Sequence, residues 1–359
     1  MYCCVACDRT YEESASAPWR CECGHPLDFD GTSLPEGKQP TSPNRDRGLW
    51  TFDSFLPVER RVTLGEGWTP LVDASEWDCA FKLEYCFPTG SFKDRGAATT
   101  LSHAVSLGVS RVVEDSSGNA GAAVATYAAR AGLDAEIYVP ADVKPGKIRA
   151  IGRTGATVRR IDGGRQAVTD ACIEAVEAGE GWYASHVYQP AFFAGTATFA
   201  LEVAAQRGWS VPDAVVTPLG HGTLFLGAYR GFRALRNAGW IDAIPRLYGV
   251  QAAGVAPIAV ASGDDDATGP TNTAADGIQI TDPPRKGQIL DAVDATDGAV
   301  IAVDTDATEA TLDRLHRAGF YVEPTSAVAP AALEMLRERG DVTADDDVVV
   351  PLTGSGLKS

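Results

Sequence analysis

From Trp50 onward, short apolar runs alternate with alanine-rich stretches of helical length. Arg111–Glu114, Ala135–Val139, Ala156–Arg159, Ala214–Thr217, Leu247–Val250 and Val348–Pro351 predict strands. Between them Gly121–Ala131, Lys147–Arg153, Gln166–Ala178, Phe199–Arg207 and Leu224–Ala238 predict helices. Strands alternating with helices imply an α/β fold, because a parallel strand needs a long crossover, usually a helix. Ligands of such folds sit at the carboxyl ends of strands and the amino ends of helices. The Gly-, Pro- and Ser-rich stretch 28–48 reads as a linker, and Ser262–Asp276 as a loop leading into Gly277–Ile280. No internal repeat is evident.

Composition narrows the class. A chain of 359 residues and 37.8 kDa with 45% hydrophobic residues is long enough for two or three globular units with real cores. Its apolar runs fall short of the roughly 20 residues that span a bilayer. The start, MYCCVACDRTYEE, lacks the basic and apolar regions of a secretory leader, so a cytoplasmic location is expected. A net charge of -17 repels nucleic acid and anionic membranes, and neither is expected as a partner. Asp outnumbers Glu 30 to 18 and Arg outnumbers Lys 24 to 7, a surface suited to staying hydrated in high salt and hence to a halophilic origin. Asp264–Asp266 and Asp345–Asp347 read as solvated loops rather than metal cages.

Five of the eight cysteines lie in the first 23 residues. Cys4 and Cys7, then Cys21 and Cys23, give two thiolate pairs on two turns, each able to supply two corners of a tetrahedron. A short segment with little core gains most from such a staple, so a structural zinc ribbon is expected, with Cys3 as a substitute ligand. Cys79, Cys86 and Cys172 read as buried or half-buried thiols.

Three turns carry candidate chemistry. Pro88–Gly96 (PTGSFKDRG) opens a helix near Gly96 and puts Lys93 where the positive helix terminus and Arg95 oppose protonation, as Schiff-base chemistry needs. Asp115–Gly121 (DSSGNAG) joins a strand to a helix; its small residues leave backbone N–H groups open to a carboxylate, and Asn119 adds a donor. Pro218–Leu224 (PLGHGTL) is a phosphate cradle without the Lys and spacing of a nucleotide P-loop. A reactive Lys, an anion loop with an Asn and a phosphate cradle are together what pyridoxal phosphate requires. Pro351–Lys358 (PLTGSGLK) follows a strand and offers Thr353 to the pyridine nitrogen.

These motifs, SFKDRG, SSGNAG, GHGT and TGSGLK with LGEGWTPL upstream, resemble fold-type II pyridoxal phosphate enzymes, and the threonine synthase family most closely. The resemblance covers nearly the whole chain. It implies a tryptophan synthase β-like two-domain fold: a zinc ribbon at 1–30, a linker at 31–49, a large cofactor-binding domain at 50–96 and 196–359, and a smaller mobile domain at 97–195, with the cofactor in the cleft. Lys93 would hold the cofactor as an internal aldimine and shuttle protons at the substrate's α and β carbons. Asn119 would bond the cofactor's 3′-oxygen. Gly220, His221, Gly222, Thr223 and Leu224 would bind its phosphate, and Thr353 would face the ring nitrogen. Ser116, Ser117 and Gly118, with Ser91, would take the substrate. The implied reaction turns O-phosphohomoserine and water into threonine and phosphate, and a homodimer is expected.

One stretch departs from the family pattern. Where the family carries N-P-x-R-x-x-G, this chain has Gln189–Gly195 (QPAFFAG), and Phe192 stands at the Arg position. An aromatic ring cannot replace a bidentate phosphate clamp. Either Ser91, Arg95 or backbone donors hold the substrate phosphate, or the substrate differs. A serine/threonine ammonia-lyase, suggested by Ala275–Ile278 and Val322–Pro324, and a cysteine- or cysteate-type β-replacement synthase stay open. A non-catalytic module is disfavoured by the intact Lys93, Asn119 and Thr353.

Overall fold

A computed structural model describes residues 1–31 and 33–358. In chain order the strands are β1 (Tyr2–Cys3), β2 (Thr10–Tyr11), β3 (Asp28–Phe29), β4 (Leu71–Ala74), β5 (Cys79–Lys82), β6 (Arg111–Glu114) and β7 (Asp134–Pro140). They continue with β8 (Thr157–Ile161), β9 (Trp182–Tyr183), β10 (Ala214–Pro218), β11 (Arg246–Ala252), β12 (Ala299–Val303) and β13 (Val348–Pro351). The helices are α1 (Lys93–Ser106), α2 (Asn119–Ala131), α3 (Pro145–Gly152), α4 (Arg165–Glu177) and α5 (Pro190–Gln206). They continue with α6 (Thr223–Asn237), α7 (Pro257–Ala261), α8 (Lys286–Asp294), α9 (Thr305–Arg317) and α10 (Pro324–Arg339).

Two compact units divide the chain. The first comprises Met1–Pro35, Asn44–Gly67 and Lys93–Thr196. Its four-stranded sheet, in the order β8-β7-β6-β9, is parallel throughout. Leu101, Val124, Tyr127 and Ile137 pack with Trp50 into its main core. Residues 44–67 therefore lie with this unit, whereas the sequence had suggested that 50–96 belong to the larger body. The reason is local: buried Trp50 donates its indole N–H to Glu66 at 2.9 Å, and Glu66 also takes the Leu64 N–H at 2.7 Å and the Tyr127 hydroxyl at 3.1 Å. The cysteine-rich start belongs here too, as a small antiparallel sheet β2-β1-β3. Tyr2 joins it to α1 through a 2.5 Å hydrogen bond to His103.

The second unit comprises Glu36–Pro43, Trp68–Phe92 and Ala197–Ser359. Its sheet runs β12-β11-β10-β13-β5-β4 and is parallel except for β4 against β5. Phe81, Val250, Leu333 and Leu336 are central to its core. Part of the expected linker is tied down here: Trp240 and Trp209 donate their indole N–H groups to the carbonyls of Gly37 and Pro40, both at 3.0 Å. One partly buried carboxylate of each acidic run is tied to the protein, while Asp345 and Asp347 are exposed as expected. Asp264, with a side chain 5% exposed, accepts from the Ala302 N–H and Arg339, while Asp346 accepts from Thr343 and Arg246. Arginines and backbone donors bond these two carboxylates. Among the described residues, no helix is long and apolar enough to cross a membrane.

Candidate active site

In the first unit, helix α1 begins at Lys93 itself, three residues earlier than the sequence suggested. Lys93 is half-buried, and Asp94 and Arg95 behind it are fully buried. Strand β6 ends at Glu114, and the Asp115–Gly118 turn leads straight into α2 at Asn119. The turn is closed from within: Ser116 Oγ accepts the Gly118 N–H at 3.2 Å, and Gly118 caps α2 without a side chain. Its helix-opening N–H groups have no intrahelical acceptor, which is the physical basis of an anion site. Helices α1 and α2 pack directly on each other, so Lys93 and Asn119 each open one member of a contacting pair.

Two acids follow one another at the end of β6 with different fates. Asp115 has both oxygens occupied, by Thr169 at 2.6 Å and by the Tyr183 hydroxyl at 2.8 Å. Glu114 is fully buried; one oxygen meets His186 Nδ1 at 2.6 Å and the other, Oε2, has no partner. Burial first, and the Asp115 charge second, hold the Glu114 carboxyl well above the usual carboxylate range.

In the second unit, β10 and β13 are parallel neighbours, with Ala214 opposite Val348 and Val215 opposite Val349. The loops that follow them leave the same edge of the sheet. After β10, Leu219 donates to Val250 at 2.7 Å, and Gly220–His221 lead to Gly222, the N-cap of α6. Gly222 has φ 81°, and a Cβ there would meet Ile289 at 2.6 Å, so only glycine suits this cap. Thr223 and Leu224 open the helix and are buried. After β13, Thr353 is buried with its hydroxyl 3.1 Å from that of Ser326, and its carbonyl accepts the Phe92 N–H at 3.0 Å. Ser91 bridges to Gly354. The Ser91 hydroxyl is fully buried and has no partner, which is what a polar atom awaiting a ligand looks like.

Thus Lys93, Ser116, Ser117, Gly118 and Asn119 gather at helix starts in the first unit, and Ser91, Gly220–Leu224 and Thr353 at one sheet edge in the second. Phe192 is fully buried, and its ring occupies the space a Cβ on Gly96 would take. The residue at the Arg position is therefore a core residue of α1 packing, not a ligand-facing one. Sequence reasoning missed Ser326, Glu114 and His186. Only Glu114 left a local trace, as an acid closing an otherwise apolar run.

The cysteines Cys4, Cys7, Cys21 and Cys23 bring their sulfurs within 4.8 Å of one another, with Cys4–Cys23 and Cys7–Cys21 each at 3.5 Å. A tetrahedron of thiolates about 2.3 Å from a metal has edges of about 3.8 Å. The set could hold a metal ion. Cys23 is drawn down to about 6, first by the His25 backbone N–H. Cys3 is not part of the set, since its sulfur faces the Phe29 carbonyl at 3.7 Å; this removes it as a substitute ligand. Cys79 and Cys172 are buried as expected, but Cys86 is exposed.

Residues 62–354 match the family described as pyridoxal-phosphate dependent enzymes. The threonine synthase of Methanocaldococcus jannaschii is 31% identical over 99% of this chain and 92% of its own length. That of Methanosarcina acetivorans is 34% identical over 86% and 80%. Among solved structures, the processed threonine deaminase isoform 2 of Solanum lycopersicum superposes with a TM-score of 0.69 over 93% of this chain and 91% of that one, at 20% identity. The fold is that of fold-type II pyridoxal phosphate enzymes, α/β with parallel and mixed sheets.

Proposed function

The chain belongs to the threonine synthase family of pyridoxal-phosphate dependent enzymes, and from that premise we propose that it converts O-phosphohomoserine and water to threonine and phosphate. The observation that carries this is similarity to a threonine synthase along almost the entire length of both chains. Pyridoxal phosphate supplies the electron sink that loosens bonds at the substrate's α and β carbons. The residues fit that group: a glycine-capped helix for its phosphate, a buried neutral hydroxyl at Thr353, and an unpartnered hydroxyl at Ser91.

Lys93 would hold the cofactor through its amine, and its Nζ would move protons at the substrate carbons. Gly220, His221, Gly222, Thr223 and Leu224 hold the cofactor phosphate through backbone N–H groups and the Thr223 hydroxyl. Thr353, steadied by Ser326, would face the ring nitrogen; a hydroxyl there, unlike a carboxylate, would not favour its protonation. Asn119 would donate to the 3′-oxygen. Ser116, Ser117 and Gly118 would bind the substrate carboxylate, and Ser91 is a further candidate for the substrate.

Phe192 supports one second reading. Its burial against Gly96 leaves the family's clamp position without a cation, which suits a substrate lacking phosphate, as in a serine/threonine ammonia-lyase. A panel assay separates the two. Phosphate release from O-phosphohomoserine is expected; 2-oxo acid formation from threonine or serine without phosphate release would replace the synthase by the lyase.

Three further features complete the proposal. The four-cysteine set binds structural zinc, with no open position for catalysis. One equivalent of zinc in the purified protein, with loss of ribbon structure on chelation, is expected; metal-free protein of unchanged stability would refute it. The acidic surface of a cytoplasmic enzyme working in high salt predicts activity in molar KCl that collapses on dilution. A homodimer is expected by light scattering.

A further inference from the structure

We propose that Glu114, held by His186, sets the charge on the Lys93 amine and is a positioning residue of the same site. The inference rests on the cofactor reading above and begins from an unexplained atom. Glu114 Oε2 is buried with no hydrogen-bond partner, while its neighbour Asp115 has both oxygens satisfied. Native interiors rarely leave such an atom without a use.

The placement gives it one. Strands β6 and β9 are parallel neighbours, with Val113 opposite Tyr183, so Glu114 and the segment carrying His186 leave the sheet at the same carboxyl edge. Ligands of parallel sheets bind at that edge. His186 is 7% exposed and its ring lies 6.1 Å from that of Phe192, which in turn packs on Gly96 of α1. The pair is thus built against the helix that Lys93 opens. A charged Lys93 favours the ionised form of Glu114 and so opposes the upward pull of burial on the carboxyl.

At 2.6 Å, one proton lies between Glu114 Oε1 and His186 Nδ1. This fixes the orientation of both groups and leaves Oε2 as the variable end. A protonated carboxyl presents no charge to Lys93. An ionised one stabilises its positive form. The other groups acting on Glu114 are Asp115 in the following turn, Cys172 on α4 and Tyr183 on β9; its partner across β7 is the uncharged Ile137. Burial is the main reason the carboxyl keeps its proton, with the Asp115 charge adding to it and Lys93 opposing it.

The test is a pH titration of the absorbance near 410–420 nm, roughly the band of a Lys-bound cofactor, in purified holoenzyme and in E114Q and E114D. The carboxyl gives up its proton only above the usual carboxylate range, so it is neutral at the acid end of the titration and charged toward the alkaline end. Losing that charge in E114Q is expected to lower the midpoint at which the band fades by about one pH unit, a tenfold change in proton affinity, with no difference at the acid end. E114D, which keeps an acid but loses reach, is expected to fall between. A purely structural role would lower the melting temperature and leave the midpoint in place. Superimposable titrations of native enzyme, E114Q and E114D would overturn the proposal. Absence of the band from the native protein would instead overturn the cofactor reading beneath it.

Discussion

Glu202 and Glu114 are both fully buried carboxylates, and their surroundings differ in one respect. Glu202 faces the equally buried Lys82 at 2.9 Å, and the same ammonium reaches the Thr69 carbonyl at 2.6 Å. Gln206 donates to that carbonyl at 2.9 Å, and the Lys82 and Glu202 charges balance each other, although Gln206 Oε1 beside them keeps no partner. Glu114 meets an imidazole and the backbone N–H groups of His186 and Asp115, faces no paired cation of this kind, and keeps Oε2 unpartnered. A closed pair of this kind fixes α5 against β5 within its unit. An open one stores chemistry at the end of a strand where ligands bind. Burial alone therefore says little about role; the completeness of hydrogen bonding separates scaffold from site.

The sharpest way to break this comparison is to cut the closed pair. E202A leaves an unpaired buried ammonium and is expected to cost about 3–5 kcal/mol in denaturant unfolding. A loss near zero would remove Glu202 as a scaffold element. E114Q is expected to behave in the opposite sense. The folded carboxyl holds its proton above the unfolded value of about 4.3, so native stability falls as pH rises from there. The amide has no such dependence. Melting temperatures of E114Q and native protein should therefore diverge in favour of E114Q toward pH 8, and their difference should shrink toward pH 4; a constant difference would contradict the burial of an acid there.

Smaller effects sharpen the same distinction. S91A removes a buried hydroxyl that bonds nothing, so stability of the cofactor-free protein should change by no more than about 0.5 kcal/mol while affinity for cofactor or substrate falls. Destabilisation without a binding defect would make Ser91 structural. R317A breaks an exposed pair with Asp313, whose side chains are 80% and 68% exposed, and is expected to leave the melting temperature unchanged.

The sequence pattern located some elements to the residue and missed others for definable reasons. Arg111–Glu114 and Val348–Pro351 are strands with the expected bounds, because each is an apolar run closed by a polar or turn-forming neighbour. Helix α5 starts at Pro190 rather than Phe199, since PAFFAGTATFAL is buried nearly all round and shows no 3.6-residue period. The β4–β5 hairpin was not foreseen; its pairing is antiparallel within a sheet whose other ladders are parallel. The glycine turns were legible because their composition is local. The Glu114–His186 pair joins residues 72 positions apart, and Ser326 with Thr353 joins residues 27 apart, so no window of sequence contains either.

The account stands on the Lys93 amine carrying the cofactor, and borohydride reduction followed by peptide mass mapping reads that bond directly. A pyridoxyl mass on the peptide containing Lys93, absent from K93A, is the result expected. Label on another lysine such as Lys82 or Lys358, or on none, would contradict it.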